Sequence, residues 1–217
     1  MSNNIAQLLD RCRNIEGLTL AQLANALGVH IPNNPLQRKG WAGMAVELAL
    51  GATAGNKAAP DFIDLNVELK TLPIDSSGKP AESTFVTSIP LLTIHQETWQ
   101  TSTCYAKLKQ VLWIPIEADK SLPFNCRRIG QAILWSPSIQ EEAILATDWL
   151  ELTTMISTGM LHEISAHIGQ YLQVRPKAAS SKSLCYGYSA TGDKILTLPR
   201  GFYLRSKFTN TIIRTIL

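Results

Sequence analysis

Charge is scarce in this chain. Asp, Glu, Lys and Arg make up 17% of its 217 residues, below the usual quarter, and no Ala/Glu/Lys/Leu heptad tract runs through it, which excludes a long coiled coil. Long apolar runs are missing too. The greasiest segment, Trp41 to Gly55, carries Glu47 near its middle and falls short of the ~18 uninterrupted apolar residues that a membrane span needs. The N-terminus places Asp10, Arg11 and Arg13 around a short apolar turn, not the basic start and apolar core of a secretory signal, so a cytoplasmic location is expected. The four cysteines, Cys12, Cys104, Cys126 and Cys185, include no close pair. Their spacing suggests neither a disulfide framework nor a zinc site, and each is expected to be a buried small apolar residue.

What is present is apolar material: 45% of the side chains, enough for one domain spanning 1–217 with a continuous core and no clear linker. The net charge of +3 is small but unevenly placed. Residues 1–168 hold 12 Lys/Arg against 16 Asp/Glu, while residues 169–217 hold 8 Lys/Arg against the single acid Asp193. In that basic quarter the cations alternate with Tyr171, Tyr186, Tyr188, Phe202, Tyr203 and Phe208. Such a pattern suits a surface that follows a phosphate backbone, and equally a solvated basic face.

Thr19 before Leu20, Leu23, Ala24 and Leu27, with Gly28 after them, reads as a capped amphipathic helix stopped by a glycine. It resembles the first half of a helix-turn-helix, but Ile31-Pro32-Asn33-Asn34-Pro35 cannot supply a recognition helix, so a packing helix is expected. Helical periodicity from about Leu36 to Leu50 ends at Gly51, and a loop of small residues, 52–60, follows. Val67-Glu68-Leu69-Lys70-Thr71-Leu72 alternates as a strand. A turn at Ser76-Ser77-Gly78 is expected to return the chain into a second strand near Ser83 to Ile89 as a hairpin. Val111 to Ile116 reads as a strand buried on both faces, with Ala132 to Trp135 as another. Ser138 and Glu141 form a capping box for a helix ending near Gly159. Tyr171–Val174 and Gly201–Leu204 read as strands, and Ser206 caps a terminal helix. This order implies an α/β chain with a mixed sheet covered by helices.

One stretch concentrates chemistry: Asp61, then six residues, then Glu68-Leu69-Lys70. On a strand, Glu68 and Lys70 lie about 6.6 Å apart on one face. Two carboxylates and an amine brought together by a loop and the strand it feeds can hold a divalent metal and a phosphate. Oxygen ligands without His or Cys favour Mg²⁺ over zinc. Glu-x-Lys alone is a weak signal, and an exposed strand face with a Glu68–Lys70 salt bridge accounts for the spacing as well. Glu47, interrupting an apolar helix, is costly to bury unless it meets a cation; Lys107 and Lys109 lead directly into the buried strand. His162-Glu163-Ile164-Ser165-Ala166-His167 has its histidines five apart, where a zinc protease helix needs four. Gly51 to Lys57 lacks the P-loop spacing, and no Gly-x-Ser-x-Gly elbow occurs.

Longer motifs are more specific. Lys39-Gly40-Trp41, Glu47 to Gly55, Asp61-Phe62, Val67 to Thr71, Val111 to Pro115, Arg175-Pro176-Lys177-Ala178-Ala179 and Leu198-Pro199-Arg200-Gly201-Phe202-Tyr203-Leu204 together resemble the MutH family, the strand-nicking endonucleases of methyl-directed mismatch repair. The resemblance covers nearly the whole chain in the same order. It implies a restriction-endonuclease-like mixed β-sheet flanked by helices, with two lobes around a DNA cleft. It also implies Mg²⁺ ligands at Asp61 and Glu68, a catalytic lysine at Lys70, an additional active-site acid at Glu47 and cleft lysines at Lys39 and Lys107. By the same likeness Arg175, Pro176 and Lys177 lie on a base-reading loop, Tyr203 senses methylation and Phe85 contacts DNA. The implied substrate is double-stranded DNA at hemimethylated or unmethylated GATC sites, nicked 5′ of the G on the unmethylated strand. A monomer is expected, with MutL as activator and MutS acting indirectly. An autonomous restriction endonuclease, or a DNA-binding recruitment module without catalysis, are the competing readings.

Overall fold

Caps and glycines set the helix boundaries. The computed structural model describes residues 4–38, 40–53, 59–165, 167–178, 180 and 182–214. Its α-helices are α1 (Ile5–Ile15), α2 (Leu20–Leu27), α3 (Pro35–Arg38), α4 (Trp41–Leu50), α5 (Thr103–Leu108), α6 (Ile139–Ser157) and α7 (Ser206–Arg214). Its strands are β1 (Glu68–Ile74), β2 (Thr84–Ser88), β3 (Val111–Glu117), β4 (Ile133–Trp135), β5 (Leu172–Pro176), β6 (Cys185–Tyr188), β7 (Lys194–Thr197) and β8 (Arg200–Leu204). Capping boxes open α2 through Thr19 and Gln22 and α6 through Ser138 and Glu141, each satisfying amide groups that the first helical turn leaves without partners. The helix expected from Leu36 to Leu50 is broken in two. Gly40, at φ +85°, takes a left-handed conformation that a helix interior cannot hold, so α4 starts afresh at Trp41. No described helix is long and apolar enough to cross a membrane.

The expected hairpin from β1 into β2 does not form. The turn itself is there: Asp75 accepts from Ser77 and Lys79, and the chain doubles back as far as an isolated Ile74–Pro80 bridge. Pro73 and Pro80 bring no N–H to such a ladder, and pairing stops. β1 instead runs parallel to β3, and β2 pairs antiparallel with β8. One mixed sheet is therefore replaced, among the described residues, by three small ones of order β1-β3-β4, β2-β8-β5 and β6-β7. Only the first of them is mixed.

The described chain divides into two compact units: 1–82 with 109–136 and 212–217, and 83–108 with 137–211. In the first unit, α1, α2 and α4 pack on one side of the β1-β3-β4 sheet. They bury Leu8, Cys12, Leu20, Leu23, Trp41 and Val46 with Val67, Leu69, Leu112 and Ile114. Val111 to Ile114 are all buried, as the continuous apolar run requires. Burial pushes the Cys12 thiol up to about 11, the behaviour of a packing residue. Cys104 is buried as well, but Cys126 is exposed, contrary to expectation, at the end of a short turn of 3₁₀ helix after Pro123.

In the second unit, β5 packs against α6, and one buried carboxylate joins the elements. Asp148 in α6 accepts the backbone N–H groups of Gln170, Tyr171 and Leu172 at 2.7, 2.6 and 2.8 Å. Arg205, just after β8, donates to the Ile168 and Gly169 carbonyls of the same segment. Removing the carboxylate leaves one buried and two part-buried donors without their partner, which costs on the order of 3 kcal/mol. Asp148→Ala is therefore expected to lower Tm by roughly 6–12 °C in calorimetry of the full chain. Asp148→Asn, which keeps one carbonyl acceptor, should recover only part of the loss.

Candidate functional site

The loop before β1 closes on the strand through a two-residue ladder. Phe62 N–H donates to the Val67 carbonyl at 2.9 Å and Val67 N–H donates back to Phe62 at 3.3 Å. An antiparallel pair that exchanges both bonds sets its outer neighbours directly opposite one another with their side chains on one face. Those neighbours are Asp61 and Glu68. A single 3₁₀ turn, Ile63–Leu65, and Asn66 in the left-handed region at φ 53° close the loop between them. Asp61 Oδ2 then accepts the Leu69 N–H at 2.9 Å, which fixes this carboxylate against the start of β1.

Period-two alternation puts Lys70 on the same side of β1 as Glu68, and its Nζ lies 2.7 Å from Glu68 Oε1. This is not an exposed ion pair. Glu68 is 2% exposed, Asp61 9% and the Lys70 side chain 14%. Two carboxylates and one ammonium in a buried setting leave an excess of negative charge, an arrangement that favours a cation.

Glu47 is carried by α4. A Cβ built on Gly43 would stand 3.6 Å from Thr71 Oγ1, so that part of α4 faces β1; Thr71 lies on the opposite side of the strand from Glu68 and Lys70, and Glu47 lies one helical turn beyond Gly43. The chain leaving α4 keeps the two elements in step: Ala52 N–H donates to the Glu47 carbonyl and Thr53 N–H to the Asp61 carbonyl, both at 3.0 Å. Among the described residues no group of three or more His, Cys, Asp or Glu is arranged to hold a metal. Two oxygen donors beside a lysine match Mg²⁺, which keeps several waters and takes phosphate oxygens, and do not match a cage built wholly of protein ligands. Lys39 lies outside the described residues. Lys107 stands half-buried in the last turn of α5, which belongs to the second unit. The first unit thus groups Asp61, Glu68 and Lys70, and carries Glu47 on α4, the helix that packs on β1.

A second cluster occupies the β2-β8-β5 sheet. Phe85 of β2 sits directly across from Tyr203 of β8, ring centroids 5.3 Å apart and edge to face. Arg175 of β5 pairs with Gly201, and its guanidinium carbon lies 5.8 Å from the Tyr203 ring centre. Its Nη1 donates to Ser83 Oγ at 2.7 Å. Lys177 Nζ lies 4.4 Å from the Phe85 ring centre. Two cations thus rest on two aromatic rings. Gly201 makes room for this arrangement, since a Cβ there would meet Phe85 Cε2 at 2.8 Å and the Thr87 carbonyl at 3.2 Å. Arg175 and Pro176 are strand residues and not loop residues, and Lys177 extends the ladder through its N–H to the Pro199 carbonyl. Alternation places Pro176 on the opposite face from Arg175 and Lys177. Ser83 and Gly201 carried no local signal of a role here, because their neighbours come from the far end of the chain.

The histidine stretch from His162 forms turns and not a helix, with Ala166 outside the described residues. The MutH family, described as DNA mismatch repair enzyme MutH, matches residues 50–148. The chain is similar to the DNA mismatch repair protein MutH of Shewanella oneidensis, at 45% identity over 98% of this chain and 96% of that protein. It is also similar to the protein of that name from Escherichia coli, at 48% identity over 95% and 90% of the two chains. Identity of this extent, over nearly the full length of both chains, establishes the relationship: this chain belongs to the MutH family of DNA mismatch repair enzymes.

Proposed function

We propose that this chain is a Mg²⁺-dependent endonuclease that nicks the unmethylated strand of hemimethylated GATC sites, 5′ of the G, with MutL as its activator and MutS acting indirectly. The observation that supports it most directly is that Asp61 and Glu68 are both buried, with Asp61 bonded to the amide of Leu69, next to Glu68 in the chain, and Lys70 Nζ 2.7 Å from Glu68. The restriction-endonuclease-like fold, with lobes around a DNA cleft, is part of the same proposal, as is action as a monomer.

Asp61 and Glu68 would hold the metal through hard carboxylate oxygens, and Asp61 is kept in place by its bond to the Leu69 amide. A Mg²⁺ ion held there would supply positive charge toward a phosphoryl oxygen and favour ionisation of the attacking water. Lys70 has two tasks. Its ammonium offsets the charge of Glu68, and it offers a donor at the position where an attacking water must be oriented. Glu47 adds negative charge from the helix side, and Lys39 and Lys107 would neutralise backbone phosphates. Arg175 can donate two hydrogen bonds to the O6 and N7 of a guanine, worth about 1–3 kcal/mol of discrimination, while Lys177 and Phe85 contact the DNA beside it and Pro176 shapes the strand end. Tyr203 is held on one side by the Phe85 ring and lies near Arg175. A ring confined in this way cannot swing aside for a methyl group on the adenine amine, so methylation would weaken binding on that strand.

Glu68→Gln and Lys70→Met preserve volume. Each is expected to lower single-turnover nicking by about 10³-fold or more while binding in gel shifts changes only a few-fold; unchanged turnover in either variant would reject the assigned site. Mg²⁺ titrated into the full chain without DNA should raise Tm, by up to about 2.7 kcal/mol of stabilisation at a hundredfold excess over Kd. Asp61→Asn should remove that rise, and EDTA should abolish nicking. On plasmids carrying one GATC site, nicking should be fastest on unmethylated and hemimethylated DNA, absent on fully methylated DNA and stimulated by MutL. Equal cutting of all three substrates would reject methylation sensing, and linear products without MutL would favour an autonomous restriction enzyme.

A further inference from the structure

We propose that Ser83 is a positioning residue for Arg175 and thereby sets how strictly the enzyme demands a guanine in its target. The inference rests on Arg175 being the base-reading arginine. Arg175 is exposed at the end of β5, where a long side chain with many rotamers ordinarily has no fixed direction. Two contacts restrict it. Its guanidinium carbon lies 5.8 Å from the Tyr203 ring centre, and its Nη1 donates to Ser83 Oγ at 2.7 Å. The ring limits the tilt of the guanidinium plane, and the hydroxyl fixes its rotation within that plane.

The chemistry of the anchor matters. A carboxylate in place of Ser83 would neutralise the guanidinium and compete with the base for its donors. A hydroxyl accepts one hydrogen bond and leaves the charge in force. With one Nη1 hydrogen engaged, the Nε and Nη2 edge keeps two parallel donors, the pair that guanine O6 and N7 accept. Ser83 stands immediately before β2, and Phe85, two residues on, packs against Tyr203. The start of one strand therefore supports both the arginine and the ring beneath it. The hydroxyl hydrogen of Ser83 remains able to donate to a phosphate oxygen of the same DNA strand.

The test compares Ser83→Thr with Ser83→Val, nearly equal in shape and different in the hydroxyl. kcat/KM for nicking by the full chain with Mg²⁺ is measured on hemimethylated duplexes carrying GATC or AATC. Ser83→Thr should keep the wild-type preference within about twofold, whereas Ser83→Val should lose about tenfold of it, chiefly through slower cutting of GATC. In an Arg175→Ala background the two variants should become indistinguishable, because there is no guanidinium left to orient. If Ser83→Val matches Ser83→Thr while Arg175→Ala loses the preference, the role of Ser83 is overturned and the reading of Arg175 stands. If Arg175→Ala retains full preference, the recognition reading and the inference built on it both fail.

Discussion

The pairing of Phe62 with Val67 is the constraint on which the proposed chemistry depends. Two backbone hydrogen bonds place two carboxylates across from one another in a setting that would otherwise reject them. Like charges held mostly out of water on one face repel. They persist because the Leu69 N–H donates to Asp61 and the Lys70 ammonium donates to Glu68. The site is therefore part of the fold's framework: the strand that carries Glu68 and Lys70 also carries Leu69 and Leu72 of the core. That rigidity suits a reaction in which little covalent work falls to the protein and most of the rate comes from fixed charge and position.

The second cluster is built on a different principle. Its cations are exposed and lean on aromatic faces, with no acidic partner in the contacts that hold them. Such cations retain their full charge toward solvent and toward a polyanion. In the proposed function the two clusters divide the labour: the buried, acid-rich one would carry the chemistry and the exposed, base-rich sheet face the recognition.

Much of this was legible in the sequence wherever the governing interaction is local. The caps at Thr19 and Ser138, the glycine stop at Gly51 and the buried run from Val111 rest on residues a few positions apart, and the structure bears them out. The spacing of Asp61, Glu68 and Lys70 pointed to a local grouping for the same reason, and the structure has Asp61 bonded to the Leu69 amide and Lys70 to Glu68. What failed was pairing between distant segments. Alternation shows that β1 and β2 are strands but carries no information about partners, and the Ser76-Ser77-Gly78 turn invited a hairpin that Pro73 and Pro80 forbid. The short β6 and β7 strands were missed because Gly187 and the polar turn between them mask the alternation. Asp148 went unnoticed too, since its three amide partners lie more than twenty residues downstream.

The parallel register of β1 and β3 also bears on how the enzyme comes into being. Glu68 N–H bonds to the carbonyl of Gln110, and the chain between these strands departs at residue 83 to build the opening segment of the other unit before returning at 109. During synthesis, the carboxylates therefore leave the ribosome well before the strand that will hold them in place. The nascent polypeptide cannot fix the proposed centre until the excursion has been translated and β3, which ends at Glu117 of 217 residues, has docked, so the carboxylates wait for the middle of the chain before they are held in place.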